Sequence, residues 1–144
     1  MKDEPIIVER LLNASPEKVW KAITETEGMK QWGFEIAEFK PVVGFEFRFL
    51  GGKDEKKYLH ICKVTDVVPM KKLAYSWRYD GYAGMSHVTF DIEKVGEQTK
   101  LTVTHRGVET FPANVPDLAK ENFVFGWTAI VNEIIKGKVE GSAA

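Results

Sequence analysis

The sequence predicts an α+β domain: an antiparallel sheet with one apolar face, covered by one long C-terminal helix. Three observations lead there. Apolar and polar residues alternate through the middle of the chain, glycines and prolines separate those runs, and the last part switches to a helical period. With 144 residues, 44% of them hydrophobic and 12% aromatic, the expected unit is one domain spanning 1–144. Such a chain buries about 70% of its unfolded surface, enough for one core or for a smaller core plus a ligand cavity.

Each element follows from local chemistry. Ile6 to Leu12 is a β-type run that stops at Ser15-Pro16. Ser15 suits a helix cap and Pro16 the first helical position, where its missing N–H would be unpaired anyway. Val19, Trp20 and Ile23 then recur at helical spacing, Gly28 interrupts, and Met29 with Trp32 predicts a second short helix ending near Gly33. From Phe34 to Gly107 the period is two. Phe45, Phe47 and Phe49 form one inward row; Leu73, Tyr75, Trp77 and Tyr79 a second; Val88, Phe90 and Ile92 a third; Leu101, Val103 and His105 a fourth. Turns are expected at Gly51-Gly52-Lys53-Asp54, Pro69-Met70, Asp80-Gly81 with Gly84, and Gly96-Glu97. After Pro112 and Pro116 a helix is predicted from near Asp117, with Leu118 near its start and Phe123, Trp127, Ile130 and Ile134 on one stripe. Gly126 inside it points to a close approach to the sheet or to a slight bend. Gly141 to Ala144 reads as a frayed tail.

Charge and cysteine usage exclude several function classes. Twenty Lys+Arg against 21 Asp+Glu leave a net charge of -1, so the field that draws proteins to nucleic acid is missing overall. The runs Lys53 to Lys57 and Met70-Lys71-Lys72 are solvated turns without interleaved aromatics, and no nucleic-acid partner is expected. Cys62 is the single cysteine, which excludes an internal disulfide and suggests a reducing compartment. The apolar run after Met1 ends within a few residues at Glu9 and Arg10; neither a signal peptide nor membrane insertion is expected, and the default location is cytoplasmic. Asn13-Ala14-Ser15 is a chance sequon with Pro16 directly after it. No phosphate-cradling loop, zinc-protease helix or serine elbow occurs, so no cofactor and no metal are expected. Glu35, Glu38, Glu46 and Asp91 fall between inward positions and face solvent, which leaves paired-carboxylate chemistry without support.

Several segments together resemble a known family. They are Arg10 to Ala22, Gly44-Phe45-Glu46-Phe47, Val64 to Pro69 with Leu73-Ala74-Tyr75-Ser76-Trp77, and Gly126-Trp127. Their order and spacing resemble the START-like superfamily, and within it the family related to the C-terminal domain of the activator of 90-kDa heat-shock protein ATPase. The resemblance runs from about Ile6 to Val139. It implies a helix-grip fold, in which a curved sheet wraps the C-terminal helix and leaves a cavity between them. Similar domains bind lipids, sterols, polyketides or other apolar molecules, and some relatives are cyclases, aromatases or self-resistance proteins. The eukaryotic co-chaperone also has a separate N-terminal domain, for which 144 residues leave no room; contact with a chaperone or another protein would fall to the lone domain.

Strand phase selects the candidate residues. His105 shares a face with Leu101 and Val103 and points toward the helix, as a ligand contact, a proton-transfer group or a hydrogen-bonded wall residue. His87 is out of phase and faces solvent. His60 and Cys62 lie on one face of a strand; they line the cavity if Val64 does, as the family pattern implies, although Leu59 and Ile61 leave that phase open. Two such ligands suit a soft metal, but no third accompanies them, and a nucleophilic Cys62 would need a neighbouring base or positive charge. Tyr75, Trp77 and Tyr79 offer flat faces with polar tips, either lining a pocket or packing a core. Trp127 packs on the sheet and forms a cavity wall, while Trp20 and Trp32 anchor the short helices. The connector from Gly107 to Pro116, with Glu109 and Phe111, is placed as a lid.

These features support three functions. The first is non-catalytic binding of a small, largely apolar ligand by Tyr75, Trp77, Tyr79, His105, Trp127, His60, Cys62 and Phe111. The second is a cyclase- or aromatase-type enzyme with His105 or a tyrosine as general acid or base. The third is a co-chaperone-like interaction module using the outer sheet face, against which the charged alternation on that face argues. Oligomeric state is left open by the sequence.

Overall fold

Strand β1 (Ile6–Leu12) leads into helix α1 (Pro16–Thr24) through the cap expected at Ser15, whose Oγ accepts from the backbone N–H of Lys18 at 3.3 Å, with Pro16 opening the first turn. The computed structural model describes residues 5–25, 38–53, 56–112, 114–115 and 118–141. Helix α1 buries Val19, Ala22 and Ile23, and Trp20 packs half-buried against the core. The second short helix at Met29 to Trp32, with its Trp32 anchor, lies outside the described residues, as do Glu35 and Pro116.

Strands β2 (Glu46–Lys53), β3 (Lys56–Val68), β4 (Lys72–Tyr79), β5 (Ser86–Val95) and β6 (Gln98–Arg106) form an antiparallel meander. Strand β1 returns to pair with β6, giving one curved six-stranded sheet of order β1-β6-β5-β4-β3-β2. Cross-strand register stacks the inward residues in rows. One row runs Phe49, His60, Tyr79; the next Phe47, Cys62, Trp77, Ser86; the next Val64, Tyr75, Val88, His105, Ile6. A bulge between Val64 and Asp66 changes the phase of β3, so that Val64 is inward before it and Val67 opposes inward Leu73 beyond it. The Phe45, Phe47, Phe49 row packs as expected, with Phe47 and Phe49 stacked at 6.2 Å.

The C-terminal helix starts at Lys120, three residues later than the sequence pattern placed it. It runs as α2 (Lys120–Ala129), a π segment (Ile130–Ile135) and α3 (Lys136–Gly141). In the π segment the N–H of Lys136 reaches back to the carbonyl of Val131, and the extra residue per turn rotates the buried stripe by one position. Ile135 is therefore fully buried where Ile134 is only half-buried, and the inward set continues as Phe123, Trp127, Ile130, Val131, Ile135 and Val139. A Cβ at Gly126 would meet nothing within 4 Å, so close approach to the sheet is not its reason. Arg10 on β1 donates from Nη1 to Asn132 Oδ1 at 3.1 Å, tying the edge strand to the π segment.

Candidate functional site

The predicted residues converge on one layer between the central strands and the first half of the C-terminal helix. Trp127 lies over the sheet with its ring 5.8 Å from Trp77, 5.6 Å from Phe90 and 6.0 Å from His105. Phe123, one helical turn earlier, stands edge-on to His105 at 5.0 Å and stacks on Phe111 at 6.0 Å. Phe111 in turn meets Tyr79 edge-on at 5.1 Å. The phase left open on β3 resolves inward: His60 and Cys62 are both buried on the concave side, and Ile61 is buried on the other face. His87 is exposed, as its phase requires.

Hydrogen bonds through this layer run in one direction. Indole N–H can only donate, so Trp127 Nε1 donates to His105 Nδ1 at 2.9 Å and leaves the imidazole proton on Nε2. Nε2 then donates to Ser86 Oγ at 2.7 Å, and the Ser86 hydroxyl donates to the Trp77 carbonyl at 3.1 Å. Beside this chain, Trp77 Nε1 donates to Tyr79 Oη at 2.9 Å. His60 Nδ1 donates to the Tyr58 carbonyl at 3.0 Å, and its ring stacks on Phe49 at 4.3 Å. Tyr75, on the central strand β4, is the exception. Its hydroxyl is fully buried and is the one buried side-chain nitrogen or oxygen among the described residues without a partner.

Burial keeps the whole layer neutral. Desolvation pushes His105 down to about 3, helped by the charge His87 would carry, and pushes His60 down to about 4 against hydrogen bonds to the backbone of Tyr58 and Phe49. The Cys62 thiol is pushed up by the same desolvation, and so are the Tyr75 and Tyr79 phenols, each further raised by the neighbouring Cys62. Cys62 is thus held as a thiol, the unreactive form. Ser86 and His105 resemble a nucleophile and its base, but the proton sits on the wrong nitrogen: Nε2 donates to the serine instead of accepting from it. Among the described residues no group of three or more His, Cys, Asp and Glu side chains is placed to hold a metal.

The start of the connector expected to act as a lid, from Gly107 to Thr110, is strapped down. Thr110, in the 3-10 turn Val108–Thr110, sends its hydroxyl to the carbonyls of Gly107 and Met85 and accepts from the Met85 N–H at 2.9 Å. Gly84 and Gly107 permit the contact. Both have positive φ, and a Cβ on Gly84 would strike the Thr110 carbonyl, while one on Gly107 would come within 2.9 Å of the Met85 carbonyl. An open groove of about 440 Å³ lies at the far end of the sheet, between the β1–α1 junction and the β5–β6 turn. None of the candidate residues lines it.

Sequence reasoning missed Ser86 as a member of this layer, and it placed Phe123 on the helix stripe with Trp127 without naming it among the candidate site residues. The signal for Ser86 was present, since it stands two residues before Val88 on an inward face. That Trp127 would donate to His105 follows from rotamers and helix placement, which no periodicity encodes.

A curved antiparallel sheet closed by one long C-terminal helix, with an aromatic layer between them, is the helix-grip arrangement of START-like proteins. The chain belongs to the Activator of Hsp90 ATPase homolog 1-like protein family (AHSA1), whose family model matches residues 13–138. Among solved structures, protein CV1439 from Chromobacterium violaceum is 23% identical with a TM-score of 0.78, covering 94% of this chain and 96% of its own. Bacillus halodurans protein BH1534 is 28% identical with a TM-score of 0.72 over the same shares. The Aha1 dimer from Colwellia psychrerythraea is 22% identical with a TM-score of 0.67, covering 95% and 96%. No curated protein matches the chain. Among the described residues no helix is long and apolar enough to cross a membrane.

Proposed function

We propose that this protein binds a small, largely apolar molecule between the central strands and the C-terminal helix, without catalysing a reaction on it. The supporting observation is the inward layer of Tyr75, Trp77, Tyr79, Phe123 and Trp127, whose polar atoms are all held neutral. Apolar walls with a few placed polar groups are what such ligands require. His60, Cys62, His105 and Phe111 complete the wall, the imidazoles as oriented dipoles and the thiol as a small apolar group.

The non-catalytic reading rests on proton placement. A base at His105 would need a free Nε2 lone pair, whereas the Trp127 indole keeps the proton there and burial disfavours a second one. The cyclase-type alternative therefore has no available base at this position.

Two measurements test the reading together. Native mass spectrometry of protein purified from its own host should show a retained small molecule, and an added naphthyl ketone should give saturable quenching of tryptophan fluorescence at one equivalent. Protein that retains nothing and shows no saturable quenching would overturn it.

A further inference from the structure

Tyr75 occupies the middle of the central strand, in register between Val64 and Val88, and is completely buried. Phe47 stands edge-on to its ring at 5.1 Å, Phe90 lies at 5.8 Å and Trp77 at 6.5 Å; none offers a side-chain acceptor. The other nitrogen and oxygen tips around it each have a partner: His105, Ser86 and Trp127 in the directional chain, Tyr79 as the acceptor from Trp77, and His60 with the Tyr58 carbonyl. A buried hydroxyl whose hydrogen bond is not made carries its full desolvation cost, and phenylalanine would fill the same space without it. A layer that gives each neighbouring nitrogen and oxygen a partner and leaves this one hydroxyl with none is complete only with an acceptor from outside the chain.

We infer that the Tyr75 hydroxyl is the polar anchor of the bound molecule, donating a hydrogen bond to an acceptor oxygen on an otherwise apolar, uncharged ligand such as a ketone or ester. This rests on the binding reading above and adds the ligand's chemical class and the residue that reads it. An uncharged acceptor is required because the residues in register with Tyr75 and in the adjoining row, Val64, Val88, His105, Cys62, Trp77 and Ser86, include no cation to neutralise a carboxylate. Burial keeps both Cys62 and His105 uncharged as well.

The test uses two shape-matched probes, 2-acetylnaphthalene and 2-isopropenylnaphthalene, which differ in carrying C=O or C=CH2, together with 2-naphthoate. Affinities are measured by tryptophan quenching on the native chain and on Tyr75→Phe. The native protein should prefer the ketone over the alkene by about tenfold, the worth of one buried neutral hydrogen bond, and should bind naphthoate more weakly than the ketone. Tyr75→Phe should lose the preference while still binding the alkene, and its unfolding midpoint without ligand should equal or exceed the native one. Equal affinity of the native chain for ketone and alkene overturns the anchor while leaving the binding reading intact. A preference that survives in Tyr75→Phe, a variant destabilised without ligand, or tighter binding of naphthoate overturns it as well. Binding of none of the three probes overturns the binding reading and the anchor with it.

Discussion

Acid should destabilise this protein well above the pH at which carboxylates ordinarily protonate, and the two inward histidines set the size of the effect. Burial pushes His60 down to about 4 and His105 down to about 3 in the folded chain, against about 6.5 for an unfolded histidine. Between those limits the unfolded chain binds more protons, so stability falls as pH falls. The stability is fully present above about 6.5 and is lost toward the folded values. Each group contributes a slope approaching 1.4 kcal/mol per pH unit, and from pH 7 to pH 5 each costs about 2 kcal/mol, together about 4 kcal/mol. That is a large part of the roughly 5–15 kcal/mol a folded domain has in total. Urea unfolding followed by tryptophan fluorescence at pH 7, 6 and 5, at constant ionic strength, measures it directly. His60→Phe should keep the stack on Phe49 and halve the slope. A stability flat within about 1 kcal/mol over that range, or a slope unchanged in His60→Phe, would refute the reasoning.

Three further outcomes follow from single contacts. Trp127→Phe removes the donor to His105 Nδ1 and should cost about 1–3 kcal/mol in urea unfolding; nitrogen NMR shifts should show the loss of a pure Nε2–H tautomer. Gly84→Ala sets a Cβ against the Thr110 carbonyl at φ 101° and should cost about 3 kcal/mol, whereas Gly81→Ala, also at positive φ but facing open space, should cost about 1–2 kcal/mol. Cys62, buried and held as a thiol, should react with a disulfide reagent at pH 8 far more slowly than a free cysteine, because so little of it is thiolate; a rate equal to that of free cysteine would mean that burial does not hold the proton on the sulfur.

Strand phase made the facing of most residues in this candidate site legible in the sequence. Alternation alone put His105 inside and His87 outside, and it placed Tyr75, Trp77 and Tyr79 on one face. It failed at β3 for a physical reason: the bulge between Val64 and Asp66 gives one strand two phases, and Ile61 is buried on the convex side, so apolarity there does not identify the concave face. On the helix, the stripe ending at Ile134 was read with a constant 3.6-residue period, and the π segment carried it to Ile135. Element type and facing are local properties, readable from a window of residues. The donor order from Trp127 to Ser86 joins three elements across 22 and 19 positions, and the orphan state of Tyr75 depends on what all its neighbours lack.

The two unusual polar arrangements in the layer bear on function in opposite ways. The Ser86–His105 pair has the spacing of a catalytic dyad, yet it is saturated: each hydrogen and each relevant lone pair is committed along one direction, which rigidifies the wall and removes the base. Reversing it would require the Trp127 indole to leave, which would expose His105 Nδ1 and break the contacts of Trp127 with Trp77 and Phe90 together. Tyr75 is the opposite case, a donor with no commitment at all. Chemistry at this site would need the saturated pair to loosen, whereas binding needs only the unsaturated hydroxyl to be met. The second demands far less reorganisation, which favours the binding reading over the catalytic one.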